Sequence, residues 1–303
     1  MNKSLIGLCT GLALAAMATT AQAQTMLKFS SAAPRTSTWH LGAEKFAEIV
    51  KEKTNGKFDM TIYPSDELSG GNQVAGIELV QTGVTDVHLH DALVWSAIAK
   101  EAIVPAFPWL LPTTDDVDKY MQGEGGEALK QALNKAGVVT LAIGENGYRQ
   151  VVNNKKAIRT PEDMAGMKIR VPGSRVHVDL LKHIGADPLT MNQSEVYTSL
   201  QQGTIDACEN TLDLLVTQNT LEVTKFISFW NYSYDPLFLV VSEELWASLS
   251  DSDKDYFNDV AGVKKTVEFL KDHAKIEGEA PKKAAKKPAA KKPAAKKKEK
   301  AAE

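Results

Sequence analysis

The hydrophobic positions of the chain follow two periods that alternate along the sequence. Short apolar or alternating runs bounded by turn residues predict β-strands. Apolar residues three and four positions apart predict amphipathic helices, as in Ser37–Thr54, where Phe46, Ile49 and Val50 form the stripe and Gly56 ends it. The predicted strands are Met26–Ser31, Lys57–Tyr63, Val84–His90, Val138–Ile143, Gln150–Val152, Lys168–Val171, Phe226–Trp230 and Leu237–Val241. The predicted helices are Ser37–Thr54, Gly71–Thr82, one within Thr114–Ala136, Ser174–Ile184, Gln193–Gln202, Ser242–Leu249 and Ser252–Lys275.

Strands and helices in alternation predict an α/β fold. A chain of this length suits two lobes around a shared cleft better than one large core. We place the first lobe at residues 24–147 and about 236–262, and the second lobe at residues 148–235 and about 263–279. The strands that cross between the lobes would act as the hinge. Because ligands of open α/β sheets bind at the carboxyl ends of strands, the cleft is the expected binding site.

The first 23 residues have the composition of a secretory signal peptide. A basic start at Lys3 precedes an apolar stretch, and Ala21-Gln22-Ala23 forms a small-x-small cleavage site. Cleavage there leaves Cys208 as the only cysteine, so no internal disulfide is expected. Cys208 is either a reactive thiol or a small buried apolar residue, and the second alternative is favoured. These features predict a periplasmic protein.

The last 24 residues, 280–303, form a low-complexity segment of lysine, alanine and proline. The segment holds ten lysines and two glutamates, while the whole chain has 35 basic and 38 acidic residues. Without this segment and Lys3, 24 basic and 36 acidic residues remain, a net charge of −12. The composition predicts a disordered tail. A nucleic-acid arm and an anchor to anionic lipid are alternatives, but we expect no nucleic-acid partner for an exported protein.

Two arginines and an asparagine lie at the ends of strand-like runs. Arg149 precedes "QVV", Arg170 lies in "MKIRV", and Asn210 follows "TIDAC". An arginine keeps its charge in proteins and its planar fork matches a carboxylate with two parallel hydrogen bonds. Surface salt bridges are the alternative for each arginine alone. Two arginines aimed at one cleft would bind an organic anion.

These residues stand in an ordered set of motifs. The chain carries "NGYR" at 146–149, "GMKIRVP" at 166–172, "GADPLTM" at 185–191 and "SEVYTSLQQGTIDACEN" at 194–210. The set resembles the solute-binding proteins of tripartite ATP-independent periplasmic (TRAP) transporters, the dicarboxylate-binding DctP-like family. One position differs, since the family usually has proline after "EN" and this chain has Thr211. The resemblance implies a two-lobed periplasmic binding protein fold.

The resemblance also implies roles for individual residues. Arg170 would form the main salt bridge to a ligand carboxylate, Arg149 would assist, and Asn210 would hydrogen-bond the ligand. Asp91 lies where the first lobe of the family touches ligand and would accept a hydrogen bond from a hydroxyl or amine. The implied partners are a small organic acid (a sugar acid, a C4-dicarboxylate or a 2-oxo acid) and the integral membrane subunits of a permease driven by an ion gradient.

Aromatic and acidic residues near these motifs leave alternatives open. Trp230 and Tyr234 follow the second crossover and either line the cleft or pack in the core. Glu209 would repel a ligand carboxylate, so it is either structural or a partner of an arginine. His88 and His90 lie on one face of a strand, but the sequence supplies no third ligand at metal-site spacing, so we expect no metal.

The alternative function is a secreted enzyme that acts on a small organic anion. The sequence contains neither a G-x-S-x-G nor an H-E-x-x-H motif. Residues 69–73, "SGGNQ", are rich in glycine but lack the lysine and hydroxyl residue that bind phosphate, so no cofactor is expected. A binding protein needs only fixed hydrogen-bond donors and a hinge. The sequence therefore favours a non-enzymatic solute-binding protein.

Overall fold

The protein is described here by a computed structural model that covers residues 24–259. The strands are β1 Thr25–Ser31, β2 Phe58–Tyr63, β3 Val87–Asp91, β4 Val138–Asn153, β5 Lys168–Val171, β6 Asp187–Thr190, β7 Ala207–Thr211, β8 Phe226–Ser228 and β9 Tyr234–Ser242. The α-helices are α1 Thr38–Lys53, α2 Gln73–Gln81, α3 Ala92–Trp95, α4 Thr114–Gln122, α5 Glu124–Lys135, α6 Arg175–His183, α7 Val196–Gln202, α8 Leu212–Thr217, α9 Glu243–Ser248 and α10 Asp251–Asn258.

The predicted signal peptide, the Lys-rich tail and the last part of both predicted lobes lie outside these residues. No helix within residues 24–259 is long and apolar enough to cross a membrane.

The strands form one continuous mixed sheet in the order β2-β1-β3-β9-β4-β7-β5-β6, and β8 pairs with β4. The long strand β4 connects its two halves. Its residues from Val138 to Tyr148 pair with β9, and those from Arg149 to Asn153 pair with β7. We call β1, β2, β3, β9 and the first part of β4 the first half-sheet, and the remainder the second half-sheet. The change of partner between Tyr148 and Arg149 falls next to the predicted lobe boundary at 147/148.

Strand alternation explains why the first half-sheet has cores on both faces. Every residue of β9 is buried. Leu237, Leu239 and Val241 pack into one apolar cluster with α1 and α10, while Phe238 and Val240 pack into another with α2, α3 and α5. Because successive side chains of a strand point to opposite faces, one short apolar run serves both clusters.

The second half-sheet repeats this arrangement on a smaller scale. Val151 of β4 packs with Ile169 and Leu181, whereas Val152 packs on the other face with Val196. Helices α6 and α7 therefore cover opposite faces. The strands β5, β6 and β7 are parallel, so their carboxyl ends meet at one edge of the sheet.

Capping and glycine residues define the ends of several helices. Ser37 caps α1, where its Oγ accepts from the backbone N–H of His40. The predicted helix within Thr114–Ala136 is two helices, because the chain breaks at Gly123 between α4 and α5. The runs Val138–Ile143 and Gln150–Val152, predicted as separate strands, belong to the single strand β4. The intervening "GENGY" looks like a turn in sequence, but β9 pairs with all of its residues except Asn146 and holds it within the strand.

Strand β4 is irregular near its change of partner. The register shifts between Glu145 and Gly147, and the φ of Gly147 is 100°. Only glycine adopts this conformation without steric cost, so Gly147 is required by the backbone and not by a side-chain contact.

We predict that Gly147→Ala lowers the free energy of unfolding by about 1–2 kcal/mol, since a Cβ is strained at positive φ. Gly144→Ala is the matched control in the same strand, because its Cβ would lie 3.8 Å from Leu237 Cβ, an ordinary contact. Urea denaturation of both variants checks the difference. Equal stabilities would contradict the strain at Gly147.

Candidate functional site

Four of the predicted site residues border one cavity between the half-sheets. Arg149 lies at the change of partner in β4, Arg170 in β5, Asn210 in β7 and Asp91 at the end of β3. We call this space the inner cavity. It is lined by the polar residues Gln73, Asp91, Arg149, Arg170, Gln193, Asn210 and Gln218 and the apolar residues Ala32, Trp39, Pro172 and Leu214.

Arg149 is held in a buried ion network. Its Nε and Nη2 donate to the two carboxylate oxygens of Glu209, and its Nη1 donates to Asp235 Oδ2 at 2.5 Å. Tyr232 donates its hydroxyl to Glu209 at 2.9 Å. Burial disfavours the charge of Arg149, but Glu209 and Asp235 outweigh it and raise the pKa of Arg149. Glu209 is therefore the partner of an arginine, the second of its two predicted roles.

Asp91 lies close to Asp235, a member of this network, and affects its ionisation. Asp91 pairs in register with Leu237 of β9, two positions from Asp235, so both carboxylates lie on the same face of the sheet. Burial and the charge of Asp91 raise the pKa of Asp235 despite its hydrogen bond from Arg149. Asp91 also accepts from the backbone N–H of Val94 at 3.1 Å, which caps α3. The positive charge of Arg149 is thus neutralised within the protein.

Arg170 is anchored differently. Its Nε and Nη2 donate to the carbonyl oxygen of Met191 at 3.0 and 2.9 Å, which fixes the plane of the guanidinium. It makes no salt bridge to any carboxylate among residues 24–259. Burial lowers the pKa of Arg170 to about 10, so the group remains charged at neutral pH. Arg170 is therefore a buried cation whose charge is not paired by a protein carboxylate.

Two glutamine amides accept further hydrogen bonds from Arg170. Nη1 donates to Gln193 Oε1 at 2.9 Å, and Nη2 is 3.4 Å from Gln73 Oε1. Asn210 Nδ2 also donates to Gln193 Oε1, at 3.2 Å. Gln193 Oε1 thus accepts from both Arg170 and Asn210. One oxygen of a carboxylate could accept from the same two donors at this position.

The sequence did not single out Gln73 and Gln193, although both carry a recognisable signal. Each follows an asparagine and stands at the start of a helical segment that begins beside the cleft. Gln73 lies on α2 of the first half-sheet and accepts from the backbone N–H of Gln193 at 3.2 Å. Gln73 therefore joins the two sides of the cavity.

The inner cavity is small, and two larger cavities adjoin it. Its volume is about 10 Å³, room for about one water molecule. A second space of about 180 Å³, which we call the outer pocket, shares Ala32, Gln193 and Gln218 with it. A third space of about 280 Å³, the side pocket, shares Gln73. An organic acid can reach Arg170 only if the two glutamine side chains move.

Trp230 and Tyr234 do not border the inner cavity. Trp230 packs against Trp109 and Tyr232, with ring centroids 6.1 and 4.1 Å away. Tyr234 packs against Tyr148 at 5.5 Å on the opposite side of β9 from Asp235. Both side chains thus fill apolar space around the crossover.

His88, His90 and Cys208 are not arranged, with other described residues, as the ligands of a metal ion. His88 and His90 share one face of β3, as predicted, with ring centroids 5.6 Å apart. Within residues 24–259 no group of three His, Cys, Asp or Glu side chains is placed to hold a metal ion. Burial raises the pKa of the Cys208 thiol to about 12, so Cys208 is a neutral part of the core.

The chain is similar to bacterial extracellular solute-binding proteins. The family model for bacterial extracellular solute-binding protein, family 7 (DctP), matches residues 29–302. The 2,3-diketo-L-gulonate-binding periplasmic protein YiaO of Escherichia coli is 32% identical over 237 residues, which cover 78% of this chain and 72% of YiaO.

Solved structures of TRAP periplasmic solute-binding proteins have the same fold. The protein from Polaromonas sp. JS666 with bound D-erythronate has a TM-score of 0.78 and 30% identity, covering 82% of this chain and 81% of its own. The protein from Sulfurospirillum deleyianum with bound succinate has a TM-score of 0.79 and 27% identity, covering 84% and 81%. The predicted α/β periplasmic binding protein fold is confirmed.

We predict that Glu209→Gln lowers the free energy of unfolding by about 3–5 kcal/mol, because it leaves Arg149 as a poorly compensated buried charge. Glu127→Gln is the matched control, since Glu127 pairs with Lys130 at the surface and should cost under about 1 kcal/mol. Chemical denaturation measures both. A Glu209→Gln protein as stable as the control would show that the ion network does not hold the strands together.

Proposed function

The chain belongs to family 7 of the bacterial extracellular solute-binding proteins, the TRAP solute-binding proteins, and on this premise we propose how it holds its ligand. It binds a small carboxylate or sugar acid for transport. The family consists of binding proteins, so the alternative of a secreted enzyme does not apply. The ligand carboxylate docks on Arg170 and Asn210 and displaces the amide oxygen of Gln193.

The proposal rests on the hydrogen-bond acceptors that surround Arg170. Its guanidinium is buried and charged, yet the groups that face the cavity are the neutral oxygens of Gln73 and Gln193. A carboxylate adds the attraction of a full opposite charge to Arg170, and its two oxygens can accept two parallel hydrogen bonds from the guanidinium. A ligand carboxylate therefore replaces two neutral acceptors at a net gain, while an uncharged ligand gains little.

Arg149 plays a supporting part in this proposal. Its charge is balanced by Glu209 and Asp235, so it orients the strand ends and leaves the main salt bridge to Arg170. Asp91 accepts from a ligand hydroxyl. Trp230 and Tyr234 support the crossover without touching the ligand.

We propose that the ligand takes over from Gln73 the connection between the two sides of the cavity. Gln73 comes from the first half-sheet and contacts Arg170 and the Gln193 backbone of the second. When the acid displaces these contacts, the ligand itself connects the two sides, and the closed form is stabilised as in hinge closure. The membrane subunits of the transporter would then receive the closed form.

The family assignment also supports a location and a route. Its relatives are periplasmic, and we propose that residues 1–23 are the signal peptide that directs export. The permease would comprise integral membrane subunits driven by an ion gradient. We assign no nucleic-acid partner to the Lys-rich segment.

We predict that free organic acids bind and that their primary amides do not. Loss of the charged pair should weaken binding by about 2–5 kcal/mol, or roughly 30-fold to several thousand-fold. A thermal-shift panel of sugar acids, hydroxy acids, dicarboxylates and 2-oxo acids, followed by calorimetry on the acids that bind, measures this. Equal binding of an acid and its amide would contradict the proposal that the protein binds the ligand through a carboxylate.

Arg170→Lys tests the residue. It keeps the charge and loses the planar fork, so affinity should fall by at least about tenfold with the fold intact. Arg175→Lys is the control, because Arg175 is exposed on α6 and pairs with Asp179 at the surface. An Arg170→Lys protein that binds as tightly as the Arg175→Lys protein would contradict the proposed site.

A further inference from the structure

We infer that the acid is a polyhydroxylated monocarboxylate, of the aldonate class, and that the site discriminates against dicarboxylates. This inference rests on the proposed function and selects among the acids that it allows. Three features carry it: the distribution of charge, the hydrogen-bonding groups that lack partners, and the position of Gln193 between two spaces.

The first feature is that the site offers one cation for a ligand. Arg149 borders the inner cavity, but Glu209 holds it through two oxygens and Asp235 through a third. Glu209 balances the charge of Arg149, and burial together with the charge of Asp91 raises the pKa of Asp235 to about 8, so this side of the cavity has no free cation. Asp91, which is 6% exposed, adds a further carboxylate on the same face. A second ligand carboxylate near Arg149 would therefore be buried without a free counter-cation, which costs free energy.

The two neighbouring spaces supply no cation either. The side chains around the outer pocket include the carboxylate of Asp66 and no lysine or arginine. Those around the side pocket include the carboxylate of Glu195 and likewise no lysine or arginine. Whichever way a ligand extends from Arg170, its far end lies beside an acidic side chain. Discrimination by unfavourable charge is an effective way to reject a competitor.

The second feature is a pair of buried acceptors without partners. Gln218 Oε1 is buried and has no hydrogen-bond partner within the described protein, and Gln218 borders both the inner cavity and the outer pocket. Asp66 Oδ1 is also buried and has no hydrogen-bond partner within the described protein, and Asp66 is only 3% exposed. Ligand hydroxyl groups can donate to such oxygens, whereas an ionised carboxylate has no proton to donate. A buried acceptor costs free energy until it is paired, so hydroxyl groups gain affinity here.

The third feature sets the direction of the ligand chain. Gln193 stands between the inner cavity and the outer pocket and contacts Arg170 and Asn210. The inner cavity of about 10 Å³ accommodates the head group only after Gln193 has moved. The outer pocket of about 180 Å³ then adjoins it on the side of Gln218 and Asp66. The carbon chain therefore extends from Arg170 past Gln218, with its hydroxyl groups facing the unpaired oxygens.

The experiment compares acids of equal length by calorimetry on the whole exported protein. Erythronate and succinate form a four-carbon pair, and gluconate and adipate form a six-carbon pair. We expect the hydroxylated monocarboxylate of at least one pair to bind at least about tenfold more tightly than its dicarboxylate partner. Butanoate, which has four carbons and no hydroxyl group, should bind at least about tenfold more weakly than erythronate.

The possible outcomes separate this inference from the proposed function. Equal or tighter binding of the dicarboxylate in both pairs would overturn the inference and leave carboxylate binding in place. Preference for a hydroxyl-free 2-oxo monocarboxylate would do the same. Failure of every acid in the panel to bind would overturn both.

A variant tests the hydroxyl contacts directly. Gln218→Leu keeps the side-chain size and removes the amide, so erythronate affinity should fall at least about tenfold while butanoate affinity stays within about threefold. Gln122→Leu, at an exposed position at the end of α4, is the matched control. If erythronate and butanoate lose affinity by the same factor in Gln218→Leu, Gln218 does not read a hydroxyl group and the inference fails. Melting temperatures of both variants verify that they are folded.

Discussion

The buried ion network around Arg149 is the interaction on which the rest of the structure depends. It joins β4 to β7 through Glu209 and β4 to β9 through Asp235, at the residue where β4 changes partner. Buried charges are costly unless each is paired and hydrogen-bonded. Here the hydroxyl of Tyr232 donates to Glu209 and the amide of Asn146 donates to Asp235 Oδ2, while Asp235 Oδ1 has no hydrogen-bond partner among the described residues. The network therefore fixes how the two half-sheets meet, and with them the edge at which the cavity forms.

Arg149 and Arg170 have different surroundings and therefore different roles. Arg149 is neutralised by the protein and contributes position, whereas Arg170 contributes the charge that, in our proposal, a ligand carboxylate uses. The Met191 carbonyl holds the guanidinium of Arg170 without neutralising it. Gln73 and Gln193 accept further hydrogen bonds from it with neutral oxygens. Such a site avoids unsatisfied donors and still favours exchange for a charged acceptor, which is what reversible capture of an acid requires.

The pattern of apolar positions predicted most of the secondary structure correctly, and the errors have physical causes. The sequence predicted β1, β2, β3, β5 and β9, because each contains a short run of apolar residues that can be recognised without information about distant parts of the chain. The unity of β4 could not be seen, since "GENGY" has turn composition and only the hydrogen bonds of β9 hold it within the strand. The assignment of lobes at 147/148, and the ends of both lobes, remain predictions.

The sequence by itself determined the fold class and the family, and it predicted four residues that border the inner cavity: Arg170, Arg149, Asn210 and Asp91. Those properties depend on local periodicity and on residues grouped in short motifs, so they can be recognised without coordinates. Only the tertiary structure decided what surrounds each charge. Glu209 and Asp235 are 60 and 86 residues away from Arg149, and Gln73 is 97 residues away from Arg170. An electrostatic environment is a sum over neighbours in space, and chain order alone does not specify which distant side chains those neighbours are.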